Sequence, residues 1–285
     1  MKSNFSTGKN KVVFISYANE AMAYSLKRIG RQARRLGVFD EVILYTPSDV
    51  PEYVRQSPLF AYPRGAGYWC WKPAIIDETL KRQEDGTIVI YCDAGCTLRR
   101  SPRWAQLISQ MSEYDSICFQ YAESQPQWQK WGNGSSKMKY WAKRSALVFA
   151  EDHFNRSDIG DFCQIWGGLL FFKGKDNTLL HDWKQLIFQH PDLIADPTVE
   201  ELKEQYPSYA GHRHDQALLT PLAILDSKTL VLPEESEKYS PKTYVWASRI
   251  RARNWREYVL IQIKHYSRLL FGDAVFEKAK NLFFK

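Results

Sequence analysis

A strand, a helix and a second strand follow one another within residues 11–47. The first segment, KVVFISYA (11–18), is a short β-branched run, and EVILYTP (41–47) is a second apolar run that closes with a proline. The segment between them, residues 21–37, ends in glycine and has apolar residues at helical spacing, namely Leu26, Ile29, Ala33 and Leu36. This order predicts a βαβ unit and a parallel sheet.

The alternation of helices and strands continues along the chain. Residues 71–83 predict a helix with Pro73 in its first turn, and TIVIYCDAG (87–95) predicts a strand that is hydrophobic on both faces, as a covered sheet requires. Further strands are predicted at 115–122 and 164–174, and further helices at 104–111, 178–189 and 217–225. We therefore predict one α/β domain over residues 1–237, with a mixed, mainly parallel sheet flanked by helices.

The net charge of +7 lies in the last part of the chain. Residues 238–285 hold eleven Lys/Arg and three Asp/Glu, whereas residues 1–237 hold 28 basic and 29 acidic groups. Residues 244–285 predict a basic amphipathic helical extension that can bind an anionic membrane surface. Packing of its apolar face against the domain is the alternative. RNA binding is a weaker one, because no RNA-binding module accompanies the charge, and no nucleic-acid partner is expected.

The cysteines and the apolar runs of the sequence bear on disulfides, on structural zinc and on membrane insertion. The five cysteines are odd in number and form no C-x-x-C pair, which disfavours disulfides and a structural zinc site. No apolar run reaches the roughly 18 residues of a membrane span, and MKSNFSTGKNK lacks the apolar region of a secretory signal. We expect a cytoplasmic protein that is peripheral on the inner face of the cytoplasmic membrane.

Asp93 ends the apolar strand 87–95, and ligands of open parallel sheets bind beyond the carboxyl ends of the strands. A carboxylate there can hold a divalent cation against a pyrophosphate or bond a ribose, while capping of a turn is the structural alternative. Upstream, Arg64 and Lys72 flank glycines and tryptophans ahead of a helix start, which suits an anionic ligand. A loop packed by its tryptophans, with the charges in water, explains the same residues.

GHRHDQALL (211–219) places two histidines beside an aspartate. On an extended segment His212 and His214 share one face, so both can meet a metal or a diphosphate. In the alternative, the histidines bond backbone carbonyls and Asp215 caps the following helix. The sequence has no G-x-S-x-G elbow, P-loop or H-E-x-x-H motif, which disfavours the corresponding hydrolase, nucleotide and zinc chemistries.

Five ordered motifs resemble bacterial nucleotide-sugar glycosyltransferases of the GT-A fold. They are R-G-x-G-Y-W-x-W-K-P (64–73), I-Y-x-D-A-G (90–95), W-A-K-R (141–144), Q-x-x-G-G (164–168) and H-R-H-D-Q (212–216). More narrowly, the chain resembles transferases encoded with capsule and lipopolysaccharide O-antigen genes, and distantly the glycogenin-like retaining enzymes. The resemblance implies a Rossmann-like fold and retaining transfer of a sugar from a nucleoside diphosphate sugar, with a UDP-sugar favoured, to a glycan or lipid-linked glycan.

The resemblance also implies site residues. In the family a strand-end D-x-D binds manganese and the donor diphosphate; Asp93 matches the first aspartate, and Gly95 stands where the second would be. His212 and His214 are the candidate additional ligands for Mn²⁺ or Mg²⁺, since manganese accepts nitrogen and oxygen donors. The implied donor-binding residues are Ser16, Tyr17, Arg64, Lys72, Asp93, Ala94, Gly95, Gly167 and Gly168.

The catalytic residues that the resemblance implies are Asp215 and Gln216, at the face of the donor sugar. The long loop at 124–137 contributes Trp128 and Trp131, which predict a stacking surface for the acceptor, with core packing as the alternative. Because the second aspartate of D-x-D is missing, a nucleotide-sugar-binding protein without turnover is the alternative function.

Overall fold

The computed structural model describes residues 10–124, 128, 134–238, 240 and 243–263. Within them, six strands form one sheet and two further strands form a short ribbon. In chain order the strands are β1 (Val12–Tyr17), β2 (Glu41–Tyr45), β3 (Ile88–Cys92), β4 (Thr97–Leu98), β5 (Ser116–Gln120), β6 (Leu169–Lys173), β7 (Thr229–Pro233) and β8 (Val245–Trp246).

The large sheet has the strand order β2-β1-β3-β6-β5-β7. Only β6 runs antiparallel to its neighbours β3 and β5, and every other pairing is parallel. The predicted mixed, mainly parallel sheet is confirmed. The predicted strand 164–174 is shorter in the structure, because its first residues join β5 only through the isolated bridge Gln120–Ile165.

Six longer helices cover the sheet: α1 (Ala23–Leu36), α2 (Trp71–Arg82), α3 (Arg103–Gln110), α4 (Arg144–Phe154), α5 (Thr178–Gln189) and α6 (Asp215–Leu225). Shorter helical turns are Glu52–Arg55, Gly65–Tyr68, Met138–Trp141, Pro191–Ile194 and Val199–Lys203, and residues 255–263 are also helical. None of the helices in the described ranges combines the length and apolar character of a membrane-spanning helix. All five cysteines are free thiols.

Successive side chains of a strand point to opposite faces of the sheet, so the hydrophobic core has two parts, one on each face. Val13 and Ile15 of β1 pack with α2 and α5 on one face, whereas Val12 and Phe14 pack with α1 and α3 on the other. Both faces of the sheet are therefore covered by helices, as the uninterrupted apolar sequences of β1 and β3 predict.

The strand order creates a crevice between β1 and β3. The chain leaves β1 through α1 to reach β2 on one side, and β3 lies on the other side. At such a switch point the connections diverge and leave space for a ligand beyond the carboxyl ends of the strands. The start of β6 lies at the same edge, because β6 is antiparallel and pairs Leu169 with Cys92.

Residues 243–252, which the sequence assigns to the basic extension, pack against the domain. β8 pairs with β4, and Tyr244, Val245, Ile250 and Ala252 are buried. The carbonyl of Ala252 accepts hydrogen bonds from the amides of Tyr24 and Ser25. These amides belong to the first turn of α1 and have no acceptor within the helix, so residues 243–252 supply one. The predicted boundary at 237/238 thus precedes a segment that belongs to the same core.

Candidate functional site

A cleft of about 630 Å³ opens at the switch point between β1 and β3. Its walls come from the end of β1, the turn after β3, the segments before α2 and β6, the start of α6, and residues 247–251. Among the described residues that line it, five side chains are basic (Arg64, Lys72, Arg213, Arg249 and Arg251) and three are acidic (Asp93, Asp215 and Glu237). The excess of cations, and the starts of α2 and α6 at its wall, favour an anionic ligand.

Lys72 and Asp215 form a buried ion pair at the base of the cleft. Lys72 Nζ donates to Asp215 Oδ2 at 2.7 Å and to the carbonyl of Gly167 at 3.0 Å. Both side chains are nearly inaccessible, with 3% and 2% of their surface exposed. Lys72 is the second residue of α2 and Asp215 the first of α6, so two helix starts hold the pair in one geometry.

Burial and the neighbouring charges set the protonation of this pair. Burial raises the pKa of Asp215 to about 6, against the opposing effect of the Lys72 ammonium. Burial alone lowers the pKa of Lys72, but the carboxylates of Asp215 and Asp93 outweigh it and raise that pKa. At neutral pH the pair is therefore ionised, and below pH 6 Asp215 takes up a proton.

Asp93 lines the same cleft, directly after β3. Its Oδ1 accepts from the hydroxyl of Tyr91 at 2.5 Å, and its amide donates to the carbonyl of Gly168 at 2.9 Å. Burial raises the pKa of Tyr91 well above its usual value, so the phenol remains a donor. The buried guanidinium of Arg28 donates to the carbonyls of Ala94 and Cys96 and fixes the turn after Asp93. The structure thus brings Asp93, Lys72 and Asp215 together, as the motifs predict.

The double glycine before β6 allows close approach of the backbone to this pair. A β-carbon at Gly167 would lie 3.1 Å from Lys72 Nζ, and one at Gly168 would lie 2.4 Å from the ring of Trp166. The amide of Gly167 also donates to Gln216 Oε1 at 3.3 Å. Gln216 therefore binds the backbone of the cleft floor.

The segment before α2 forms a left-handed turn at the rim of the cleft. Five consecutive residues, Gly65 to Trp69, have φ between 51° and 91°, and three of them carry side chains. The turn closes through bonds from Tyr68 N to Arg64 O and from Trp69 N to Gly65 O. Left-handed backbone costs residues with side chains about 1–2 kcal/mol each. Such stored strain is typical of functional sites.

The two histidines near the cleft are bonded to backbone carbonyls, as in the alternative interpretation of the sequence. His212 Nε2 donates to Leu193 O at 2.9 Å, and its Nδ1 accepts from the amide of Lys143 at 3.2 Å. His214 Nδ1 donates to Ile194 O at 2.8 Å. Burial lowers the pKa of His212 well below its usual value and that of His214 to about 4, so both are neutral at physiological pH.

These contacts decide whether the residues fit a divalent metal ion. Both ring nitrogens of His212 are engaged, His214 has only Nε2 left, and Gly95 supplies no carboxylate. Within the described ranges, no group of three or more His, Cys, Asp or Glu side chains could hold a metal ion. The donor set of the predicted Mn²⁺ or Mg²⁺ site therefore does not fit the arrangement around Asp93.

The other predicted donor-site residues differ in position. Ser16 is buried and donates to Cys92 O at 2.7 Å, and it is not among the residues that line the cleft. Tyr17 does line it, stacked on Trp71 with ring centroids 3.8 Å apart. Arg64 reaches Asp196 at 3.0 Å on the exposed rim, and the backbone of Ala94 and Gly95 forms part of the wall.

Of the two predicted acceptor residues, Trp128 lines the cleft, and Trp131 lies outside the described residues. The ring of Trp128 is only 2% exposed and packs 4.8 Å from Tyr121 and 5.0 Å from Trp141. The guanidinium of Arg213 lies 4.5 Å from the ring of Trp141. In this conformation Trp128 contributes to the wall through packing and exposes little ring surface.

Four charged cleft residues were not assigned to a site from the sequence: Arg213, Glu237, Arg249 and Arg251. Arg213 stands inside the H-R-H-D-Q motif, so its position next to Asp215 could have indicated it. Glu237, Arg249 and Arg251 have no motif around them. They reach the cleft because β8 pairs with β4, a contact of two residues that no sequence pattern indicates.

No protein-family model matches the chain, and a comparison with curated proteins finds no significant match. Among solved structures, the apo form of mouse xyloside xylosyltransferase 1 is 10% identical with a TM-score of 0.40, over 79% of this chain and 85% of that chain. The galactosyltransferase LgtC with donor and acceptor sugar analogs is 10% identical with a TM-score of 0.35, over 77% and 72%.

A 4-diphosphocytidyl-2C-methyl-D-erythritol synthase from Anaerococcus prevotii is similar to the same degree, with 13% identity and a TM-score of 0.38 over 90% of this chain and 99% of that chain. At this level of similarity the solved structures do not indicate an activity. The function proposed below rests on the site of this chain.

Proposed function

We propose that the protein is a glycosyltransferase that moves a sugar from a nucleoside diphosphate sugar to a hydroxyl group of a glycan acceptor. One observation carries the proposal: Lys72 and Asp215, 143 positions apart in the chain, form a buried ion pair in a cation-rich cleft at the switch point. Four of the five motifs that resemble nucleotide-sugar transferases, all except residues 141–144, supply walls of this cleft, which is additional support.

The chemistry of sugar transfer assigns a role to each charged group. Departure of the diphosphate leaves negative charge on the leaving group, and positioned cations such as Lys72 and Arg64 stabilise it. The anomeric carbon becomes electron-poor in the same step. The carboxylate of Asp215 stabilises that positive charge and accepts hydrogen bonds from sugar hydroxyls. The buried position of the pair strengthens both effects, because water does not screen them.

We further propose that the anomeric configuration is retained. The three acidic side chains of the described cleft each accept a hydrogen bond from a neighbouring side chain: Asp93 from Tyr91, Asp215 from Lys72, and Glu237 from Tyr121. None of them is presented as a separate base for an acceptor hydroxyl. In a retaining, front-face reaction the departing diphosphate itself takes the hydroxyl proton. NMR of the product anomer tests this assignment, and an inverted product contradicts it.

The acceptor that fits the proposal is a growing bacterial surface glycan, free or lipid-linked, because the motifs resemble those of capsule and O-antigen transferases. Such glycans grow on lipid carriers at the inner face of the cytoplasmic membrane. The helical residues 255–263 expose Trp255, Leu260 and Ile263 beside a strongly basic sequence. We propose that this surface tethers the enzyme to anionic lipid.

Turnover of a panel of nucleotide sugars, with and without glycan acceptors, tests the proposal. The released nucleoside diphosphate and the glycosylated product are measured by mass spectrometry. We expect D215N to lower the rate by about 10²- to 10³-fold, since it removes a charge aimed at the transition state. The control is D85N, at an exposed aspartate that precedes β3 and so lies at the opposite end of that strand from Asp93.

The same assay distinguishes the alternative function. A nucleotide-sugar-binding protein without turnover would bind a nucleoside diphosphate sugar but release no sugar with any acceptor. That outcome, or equal rates for D215N and the wild type, contradicts the transferase.

A further inference from the structure

The position that carries the second acidic ligand of D-x-D in the resembling family is covered here by another part of the chain. The carbonyl of Gly95 accepts from the amide of Ile250 at 3.0 Å and from the hydroxyl of Ser248 at 2.9 Å. A β-carbon at Gly95 would lie 3.5 Å from the carbonyl of Ile250 and 3.6 Å from Arg249 Cα. These are ordinary van der Waals distances, so residues 249 and 250 pack directly against Gly95.

Between these two hydrogen bonds stands Arg249, which lines the cleft. Its φ of 52° is left-handed, which a residue with a side chain adopts only when the surroundings impose it. The bonds of Ser248 and Ile250 to Gly95 impose it. The backbone is therefore fixed in a strained conformation at the point where the guanidinium reaches the cleft.

The side chain of Arg249 can still move toward a ligand. It is 52% exposed and forms an ion pair with Glu237, which also accepts from the hydroxyl of Tyr121 at 3.1 Å. The side chain of Glu237 is only 10% exposed, but about half of the Arg249 side chain faces solvent, so an anion in the cleft can compete with Glu237 for the guanidinium. Glu237 then keeps its bond from Tyr121. A guanidinium presents two parallel donors, which match the oxygens of a phosphate.

We propose that Arg249, together with Lys72, neutralises the diphosphate of the ligand in this cleft in place of a divalent cation. The inference rests on the proposed function and specifies its mode of donor binding. Three observations carry it: the described donor groups do not form a metal site, residues 248–250 bond to and pack against Gly95, and the side chain of Arg249 in that segment lines the cleft. Diphosphate binding is then independent of Mn²⁺ and Mg²⁺.

Calorimetric titration of the full chain tests the proposal. The probes are UDP, the diphosphates of the other bases, and inorganic pyrophosphate, each in excess EDTA and again with Mn²⁺. We expect the same affinity in both buffers. We expect R249A to weaken binding by about 10- to 100-fold, because it removes charge-assisted hydrogen bonds. R249K keeps the charge but loses the forked geometry, so a smaller loss is expected.

R253A is the matched control, since Arg253 is an exposed arginine of the same segment outside the cleft lining, and its affinity should equal that of the wild type. Thermal unfolding checks that R249A folds. If R249A does not fold, the proposal is tested by the affinity of R249K and by the comparison of wild-type affinity in EDTA and in Mn²⁺. Binding that requires Mn²⁺, or unchanged affinity of the Arg249 variants in EDTA, overturns the inference and leaves the transferase standing. Failure of every diphosphate to bind in either buffer overturns both.

Discussion

At the scale of single residues, Lys72 remains charged in the core because Asp215 lies beside it. The ammonium is 3% exposed and has two acceptors, Asp215 Oδ2 and the carbonyl of Gly167. A buried ion pair adds little net stability, but removal of one partner leaves a charge without compensation. The pair therefore serves to place two opposite charges at fixed positions facing the cleft.

A double-mutant cycle measures this coupling. We expect K72M to lower the free energy of unfolding by about 3–5 kcal/mol, since Asp215 then lacks its partner. The double variant K72M/D215N should recover part of the loss, because neither charge remains. Urea denaturation of the wild type, both single variants and the double variant gives the coupling. Additive losses contradict the prediction.

The raised pKa of Asp215 also predicts a pH dependence. Between its ordinary value of 3.8 and about 6, the folded protein binds a proton that the unfolded chain has released. The contribution of this carboxyl to stability therefore falls as the pH rises. The difference in unfolding free energy between the wild type and D215N should fall by about 2 kcal/mol from about pH 4.5 to about pH 7. Urea denaturation at both pH values measures it, and a constant difference contradicts it.

At the scale of elements, the left-handed turn Gly65–Trp69 connects the rim of the cleft to α2. Trp71 Nε1 donates to Gly65 O at 2.9 Å, and the ring of Tyr68 stacks on His214 at 4.7 Å. The turn thus fixes Lys72 of α2 and the segment before α6 relative to each other. The turn is also closely packed, because a β-carbon at Gly67 would lie 2.8 Å from Leu59 O.

Two glycine substitutions separate backbone strain from close contact. Gly67 and Gly174 have similar φ angles of 91° and 87°, but no atom lies within 4 Å of a β-carbon at Gly174. We expect G174A to lower the unfolding free energy by about 1–2 kcal/mol through strain alone. G67A should lower it by about 1–3 kcal/mol more, since Leu59 and Phe60 must move. Equal losses in thermal or urea unfolding contradict the role of the contact.

Several elements were predictable from the sequence for physical reasons. β1 and β3 are apolar runs between polar turns, and α1 and α5 have apolar residues at helical spacing, so local pattern identifies them. The double glycine at 167–168 is typical of a close approach of backbone, and β-carbons at these positions would be tightly placed against Lys72 and Trp166. The left-handed turn was not predictable, because Ala66, Tyr68 and Trp69 have side chains that disfavour its backbone and only tertiary contacts impose it.

At the scale of the whole molecule, Arg249 and Arg251 of the basic segment line the cleft, and a helix with exposed apolar residues follows them in the chain. The helical residues 255–263 follow the segment 243–252 that packs on α1, and Tyr258 contacts Tyr24 with ring centroids 5.3 Å apart. Trp255, Leu260 and Ile263 of this helix are 50–59% exposed. These exposed apolar residues form the surface that is proposed to bind lipid.

Binding to lipid vesicles tests this surface. We expect the full chain to bind vesicles that contain phosphatidylglycerol, with affinity falling as salt rises, and W255S/L260S/I263S to bind at least about 10-fold more weakly. The control V199S/L202S changes two exposed apolar residues on a different helix. Equal binding to pure phosphatidylcholine vesicles, or an equal loss in the control, contradicts the prediction.

The packing of residues 243–252 against the domain could not be predicted from the sequence, because the segments that form the contact are very short. β4 and β8 are two residues long each, which is too short for a recognisable strand pattern. Ala252 binds α1 through its backbone carbonyl, a group that every residue has, so its side chain gives no indication of the contact. As a result, Arg249 and Arg251 were assigned to an amphipathic tail instead of the cleft. Local sequence reports which residues are apolar, but only the assembled sheet determines which distant segment covers its edge.

The hydrogen bonds from Ser248 and Ile250 to Gly95 also order events during synthesis. A ribosome makes Asp93, Lys72 and Asp215 before it makes the arginines that complete the wall. All six strands of the large sheet precede residues 248–251 in the chain, so the last wall of the cleft is synthesised after the sheet. A product that stops before residue 243 would lack this wall and also the Ala252 carbonyl that accepts from the first turn of α1.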